Sequence, residues 1–386
     1  MTASKRRRTV LRMGEEKAKI PLFPILQSDE PALSGIARIA ACGHEVDHGH
    51  LVEFLSLDAK SILNRSVSKR MHYFRWSINP YRGCEFGCRY CYARYTHEFM
   101  ELRDPELFER QIYIKQNAAW LFRQELRKIK RGEYLALGTA TDPYQPIERR
   151  ARVTRSLLEV FAEQAGLQLG IVTKSTLIER DIDLLQRIAA RNRLVVHITI
   201  TTPDAGLARI LEPRAPRPDL RFRTVAALRR AGLETGILCC PVMPGITDTA
   251  PALESVARRA QRAGASFMAA NPLFLKPCSR PTFLAFIHDH FPQLEDHYAK
   301  RYGNADFVSE AYRKRVADIV AAVLRKYELD RRPTDRLLLQ KLASFPDLPA
   351  DSAGSPGPAL PVQQELWPSA KPSGALYGRR RETRSA

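Results

Sequence analysis

The chain has 386 residues, 44% hydrophobic and 27% charged, the balance of a folded protein with room for a large buried core. No stretch approaches the ~18 consecutive apolar residues of a spanning helix, which argues against a membrane-embedded role. The Lys5-Arg6-Arg7-Arg8 run lacks the apolar segment of a secretory signal, so a cytoplasmic protein is expected.

The formal net charge is +19. Residues 1–20 hold seven basic and two acidic side chains and residues 346–386 five and four, so most of the charge belongs to the body between. Such a field suits a protein that approaches nucleic acid.

In chain order, residues 1–30 read as a disordered basic tail and 31–74 as an N-terminal extension. From 75 onward short β-branched runs alternate with amphipathic ones. Strands are predicted at 75–79, 134–141, 167–173, 194–202, 235–242 and 266–271, and helices at 116–131, 151–165, 180–191, 220–231, 252–263 and 283–302. Strand followed by helix six times over predicts an α/β fold of parallel βα units: a partial (β/α)6 TIM-like barrel over 75–305, or an open doubly wound sheet. In either, ligands meet the carboxyl ends of the strands. Helices at 307–327 and 334–343 would form a helical C-terminal extension over 306–345, before a disordered Pro/Ser-rich tail at 346–386.

The densest chemistry follows the first strand, in Pro80-Tyr81-Arg82-Gly83-Cys84-Glu85-Phe86-Gly87-Cys88-Arg89-Tyr90-Cys91. Three thiolates spaced Cys-x-x-x-Cys-x-x-Cys can wrap one corner of a small metal core, and Gly83 and Gly87 let the loop fold back. Iron–sulfur clusters are usually held by four cysteines, so three leave one iron open to a non-protein ligand. The alternatives are a zinc site with His97 as fourth ligand, or three unrelated buried cysteines. Arg82, Glu85 and Arg89 make the loop polar for a core segment. The other cysteines, Cys42, Cys239, Cys240 and Cys278, form no disulfide pattern. Cys42, His44, His48 and His50 are metal-ligand types grouped in an N-terminal loop, or simply solvated side chains.

The cysteine loop followed by about six βα units resembles the radical S-adenosylmethionine superfamily, from about residue 75 to residue 302. More narrowly, Gly138-Thr139-Ala140-Thr141-Asp142-Pro143-Tyr144-Gln145-Pro146-Ile147-Glu148 with Thr173-Lys174-Ser175 is similar to the branch of spore photoproduct lyase, labelled DNA repair photolyase-like. The resemblance implies a [4Fe–4S] cluster on Cys84, Cys88 and Cys91 and S-adenosylmethionine on its open iron. One electron from a reducing donor of flavodoxin or ferredoxin type then yields a 5′-deoxyadenosyl radical.

The resemblance also implies that Tyr90 lies near the adenine and that Gly138, Thr139, Thr141 and Asp142 surround the methionine amino group. Lys174 would meet the methionine carboxylate, Thr199 or Thr201 the ribose or carboxylate, and the backbone at Cys240 would border the adenine. Each has a plainer reading: packing for Tyr90 and Cys240, a strand-closing turn for Asp142-Pro143, a solvated lysine for Lys174, β-branched filling for the threonines. Glu212-Pro213-Arg214 resembles a Glu-Pro of the branch, or forms a surface salt bridge. Asn271 is placed at the barrel mouth.

One departure bears on the reaction. The lyases carry a hydrogen-donating cysteine near the position of Ala140, and this chain has none between Cys91 and Cys239. The hydrogen returned to a product radical would come from deoxyadenosine, from Tyr92 or Tyr144, or from an external donor. Three functions follow: a radical enzyme acting on a nucleic-acid base, the same chemistry on a protein or small metabolite, or a non-catalytic zinc-stabilised nucleic-acid-binding module.

Overall fold

A computed structural model of the protein describes residues 33–66, 74–130 and 132–330. The tails at 1–30 and 346–386 and the helix expected at 334–343 lie outside the described residues.

Eleven short strands are described: β1 (Glu45–His48), β2 (Glu53–Ser56), β3 (Leu63–Arg65), β4 (Trp76–Ile78), β5 (Tyr81–Arg82), β6 (Gln111–Ile114), β7 (Tyr134–Leu137), β8 (Gln168–Thr173), β9 (Arg193–Thr199), β10 (Thr235–Val242) and β11 (Met268–Pro272). A seven-stranded sheet runs β11-β10-β9-β8-β7-β4-β3. Its β4 and β7 to β11 are all parallel, with β3 added antiparallel at the edge of β4. This is an α/β fold with a partial, TIM-like barrel of six parallel strands.

Because strand side chains alternate, each central strand has two faces. Leu135, Leu137, Leu169, Ile171, Val196, Ile198, Ile237 and Cys239 point outward and are fully buried. They pack beneath the covering helices Ala118–Glu125, Val153–Glu163, Ile182–Ala189, Pro218–Arg230 and Ala250–Arg262. Val153–Glu163 shows why these form: Val153, Leu157, Val160 and Phe161 recur at helical spacing and make one buried stripe. Phe161 meets Phe122 of Ala118–Glu125 with ring centroids 4.5 Å apart. Burial of each such side chain contributes about 1.5–3 kcal/mol.

Several boundaries differ from the sequence expectation. The strand expected to reach 141 stops at Leu137, and residues 138–147 form a loop over the barrel end. The helix expected at 283–302 is broken near Pro292 into Arg280–His290 and Glu295–Tyr302, since proline removes a helical hydrogen bond. Glu310–Lys326 packs on Ala250–Arg262 and β11, with Tyr312 Oη donating to Asp248 (2.7 Å) and Arg315 pairing with the same carboxylate (2.9 Å).

The N-terminal extension supplies two strands to an element that the sequence did not reveal. β1, β2, β6 and β5 form a second sheet in the order β1-β2-β6-β5, with β2 and β6 parallel. No described helix is long and apolar enough to cross a membrane.

Candidate active site

The chain passes from β4 of the large sheet to β5 of the small one across Asn79 and Pro80, and the cysteine loop hangs from that junction. Its backbone is tied on both sides: Cys84 N donates to Phe108 O (2.9 Å), Glu85 N to Gln145 Oε1 (2.9 Å) and Arg89 N to Leu211 O (2.9 Å). Gly87 sits at φ +61°, and a Cβ there would collide with the Glu109 carboxylate. Glu109 is itself held by Arg94 (3.6 Å) and Arg214 (3.3 Å). Polarity was a poor guide to exposure here. Glu85 is buried, its Oε1 accepting Ile147 N at 2.8 Å, and Cys84 and Cys88 are buried beside it.

All seven cysteines are free thiols. Cys84, Cys88 and Cys91 line a single cavity of about 310 Å³ inside the barrel. Burial pushes the Cys88 thiol up to about 12, so loading a metal core must release protons from this loop. His97 is not part of the set. It is buried, with Nε2 3.0 Å from Gln111 O and its ring edge-on to Phe108 and Tyr113. Among the described residues no three Cys, His, Asp or Glu side chains converge on one metal ion. In a cuboidal cluster each thiolate binds a different iron, so three spaced thiols suit it without converging.

Of the residues singled out from the sequence, Tyr90, Gly138, Thr139, Thr141, Asp142, Lys174, Thr199 and Cys240 line this same cavity, as do Ala140 and Asn271. Thr201 is not among the lining residues; its hydroxyl lies behind the site, 3.5 Å from Glu212 Oε1. Asp142 is buried and its carboxylate is committed. Oδ1 accepts Tyr144 N (2.9 Å) and Thr173 Oγ1 (2.6 Å), and Oδ2 accepts the backbone N of Lys174 (2.7 Å). It thus clamps the end of β7 to the end of β8. Thr141 donates to Gly83 O (2.6 Å), tying that loop to the cysteine loop.

Lys174 reaches inward, its Nζ 5.7 Å from the centroid of Tyr90. Burial pulls its pKa down, but the negative potential of Cys88, Glu212 and Asp142 outweighs burial and holds the ammonium above its ordinary range. Tyr90 donates its hydroxyl to Glu212. Glu212 forms a buried ion pair with Arg221 at 2.5 Å, each side chain at most 1% exposed. The surface-salt-bridge reading of Glu212 is therefore overturned, and its partner is Arg221 rather than the adjacent Arg214.

Some of the site escaped the sequence reading. His197, Tyr134 and Phe74 line the cavity floor, with Tyr134 Oη 3.5 Å from His197 Nε2. Period-2 alternation along β7 and β9 was the available signal, since Tyr134 shares a face with Ala136 and His197 with Thr199. Tyr144, one candidate hydrogen donor, is fully buried and absent from the lining; Tyr92, the other, lines it and donates to Thr139 O.

Gly138 turns the chain over the site at φ +89°, where a Cβ would stand 2.6 Å from both Pro143 Cδ and Val172 O. Gly138→Ala is expected to lower stability by about 2 kcal/mol or more, because backbone strain adds to the clash. Chemical denaturation of the purified variant checks this.

Residues 78–253 match the family model of the Radical SAM superfamily. An uncharacterized protein of Mycobacterium tuberculosis is 33% identical over 309 residues, covering 79% of this chain and 91% of that one. This chain belongs to the radical SAM superfamily and is an enzyme of that class. The superfamily's cofactors are a [4Fe–4S] cluster and S-adenosylmethionine, and its reactions need an electron donor.

Over a shorter span, the Radical SAM Nalpha-GlyT isomerase of Pseudomonas phage M6 is 29% identical over 168 residues, 43% of this chain and 33% of that protein. Among solved structures, spore photoproduct lyase complexed with dinucleoside spore photoproduct has a TM-score of 0.52 at 18% identity, covering 71% of this chain and 79% of that one. A variant of that lyase with bound AdoMet and dinucleoside spore photoproduct gives 0.54 at 14%, with the same coverage. At these identities the likeness is one of fold.

Proposed function

We propose that Cys84, Cys88 and Cys91 hold a [4Fe–4S] cluster against S-adenosylmethionine in the barrel cavity, and that the enzyme acts on a nucleic-acid base. The observation that carries the first part is that all three thiols and the polar ends of β7, β8 and β9 line one cavity. When bound, cluster and cofactor supply a 5′-deoxyadenosyl radical by one-electron cleavage of the sulfonium. The chain's own residues position and enclose. Lys174 offers a cation to a carboxylate, the Thr199 hydroxyl and the Thr139 loop offer polar contacts, and Tyr90, fixed by Glu212, offers a flat wall for an adenine. Ala136, Val172 and Leu238 keep water from the floor.

The nucleic-acid part is supported by the +19 charge, most of it outside the tails, and by the likeness in fold to a spore photoproduct lyase solved with dinucleoside spore photoproduct. A second reading takes a protein side chain or small metabolite as substrate, which the largely apolar wall of Ala136, Val172, Leu238 and Phe274 would also accept. Titrating the protein with single-stranded and duplex DNA and RNA across salt concentrations separates the two. Nucleic-acid binding is expected to weaken steeply with salt as phosphates release counterions, to survive deletion of 1–20 and 346–386, and to favour unpaired strands whose base can reach the cavity. Cofactor cleavage indifferent to every nucleic acid, with undetectable or salt-insensitive binding, would move the assignment to the second reading.

Lys174→Ala tests the cofactor arrangement separately. It is expected to weaken S-adenosylmethionine binding about tenfold or more, the scale of one buried charge-assisted contact, while iron content stays unchanged. Equilibrium dialysis against labelled cofactor measures the first and an iron assay the second. Equal affinity would remove Lys174 from the site.

A further inference from the structure

Three charged side chains that do not line the cavity meet against the cysteine loop. Arg94 closes the short turn Tyr92–Arg94 just after Cys91, Glu109 belongs to Leu107–Arg110, and Arg214 follows Glu212-Pro213. They gather at Gly87, where a Cβ would strike the Glu109 carboxylate and stand 3.0 Å from Arg214 Nη2. Arg94 is the buried end of the row, its side chain 1% exposed, and Arg214 the outer end, 34% exposed. Arg94 Nη2 donates to the carbonyl of Cys88 itself (3.3 Å), and Nη1 donates to Pro105 O (2.5 Å).

This buried cation is incompletely answered. The carboxylate oxygen it meets, Glu109 Oε2, lies 3.6 Å away and is shared with Arg214 at 3.3 Å. Among the described residues neither Arg94 Nε nor that oxygen has a hydrogen-bond partner. A charge taken out of water is costly unless it is both paired and bonded. A fold that buries this guanidinium under Cys88 therefore gains from negative charge arriving at the loop. Three thiolates on a cuboid iron–sulfur core are net negative, and more so once the core has taken up an electron. In a poorly screened interior a cation one bond from the ligand backbone favours that extra electron.

We propose that Arg94 raises the reduction potential of the cluster through the Cys88 backbone and that Glu109 opposes it, so that the two together set how readily the cluster accepts its electron. The inference rests on the cluster assignment above and adds which residues tune its redox step. Arg94 acts through a ligand and not on substrate, which makes it a positioning residue. The step is a one-electron reduction: the donor is oxidised, the core is reduced, and no bond to the protein forms or breaks. A purely mechanical clamp would behave differently. Losing either Arg94 or Glu109 would loosen the same loop and move the potential the same way, whereas removing charges of opposite sign moves it in opposite directions.

The test is a potentiometric titration of the anaerobically loaded full chain without S-adenosylmethionine, followed by the electron paramagnetic resonance signal of the reduced cluster. Arg94→Gln is expected to lower the ratio of reduced to oxidised cluster about tenfold at a fixed potential, a midpoint about 59 mV lower for one electron. Glu109→Gln, close in shape, is expected to raise the same ratio about threefold. Arg94→Lys keeps the charge and loses the planar fork, and is expected to lie nearer wild type than Arg94→Gln. Iron and sulfide counts establish that the compared proteins are equally loaded, and if Arg94→Gln does not load, Glu109→Gln alone decides. An unchanged midpoint in Glu109→Gln, shifts of one sign in Glu109→Gln and Arg94→Gln, or an Arg94→Lys midpoint as low as that of Arg94→Gln would overturn the proposal and leave the cluster assignment standing. Wild type without inorganic sulfide would instead remove the cluster assignment, and the tuning with it.

Discussion

Replacing Cys84, Cys88 and Cys91 together by Ala is expected to give a colourless protein that holds no inorganic sulfide and forms no 5′-deoxyadenosine, where the anaerobically purified parent is expected to be brown with about four irons per chain. The effect should be total rather than graded. Each thiolate would be the ligand of its own iron, and a cuboid deprived of all three would have nothing in the barrel to hold it. The change removes only the sulfur from each side chain, so the loop, whose backbone is tied to Phe108, Leu211 and Gln145, should keep its shape. Circular dichroism of the variant should match the parent without its cluster. Stoichiometric zinc without sulfide in the parent would overturn the assignment.

Glu212→Ala is expected to be the most destabilising single change near the site. Arg221 is 1% exposed, and removing the carboxylate 2.5 Å away leaves its charge buried without compensation. Breaking such a pair costs about 3–5 kcal/mol, roughly 10 °C in Tm for a domain of this size. Tyr90 also loses the acceptor that fixes its ring. Burial alone would raise the Glu212 pKa, but Arg221 and Lys174 outweigh it and hold the carboxyl below its ordinary range. The pair's contribution is therefore complete above an unfolded-state pKa of ~4.3 and fades as the pH falls below it. The double change Glu212→Leu with Arg221→Met is expected to recover most of the loss, since apolar replacement of a whole buried pair is often neutral. A double variant no more stable than Glu212→Ala would show that the pair is not the cause.

The six parallel strands could be read from the sequence because each is a short, largely apolar run bounded by helical periodicity, and the cysteine loop because its spacing is chemically distinctive. The smaller sheet could not. Its strands are two to four residues long, and β2 and β6 pair across more than fifty intervening residues, so no local pattern records them. Arg221 was hidden for another reason. Arg217, Arg223, Arg229 and Arg230 stand in or beside the same helix, Pro218–Arg230, and nothing in that row distinguishes the guanidinium that bonds Thr199 O and Glu212 from its neighbours. Asp142 shows the reverse limit: its position at a strand end was readable, but not that its oxygens are spent on the backbone and Thr173 rather than held out to a ligand.

The handover of chain from one sheet to the other at Asn79-Pro80 bears on how small a working enzyme can be cut. An excised piece spanning 78–253 would carry the cysteine loop and most of the cavity lining, but it would strip β2 from β6, β4 from β7 and β11 from β10. Three rows of backbone N–H and C=O groups would then face solvent. Exposed edges of that kind recruit strands from neighbouring molecules. Such a fragment should emerge as an aggregate, with its cysteine loop drawn into intermolecular pairing before any metal reaches it.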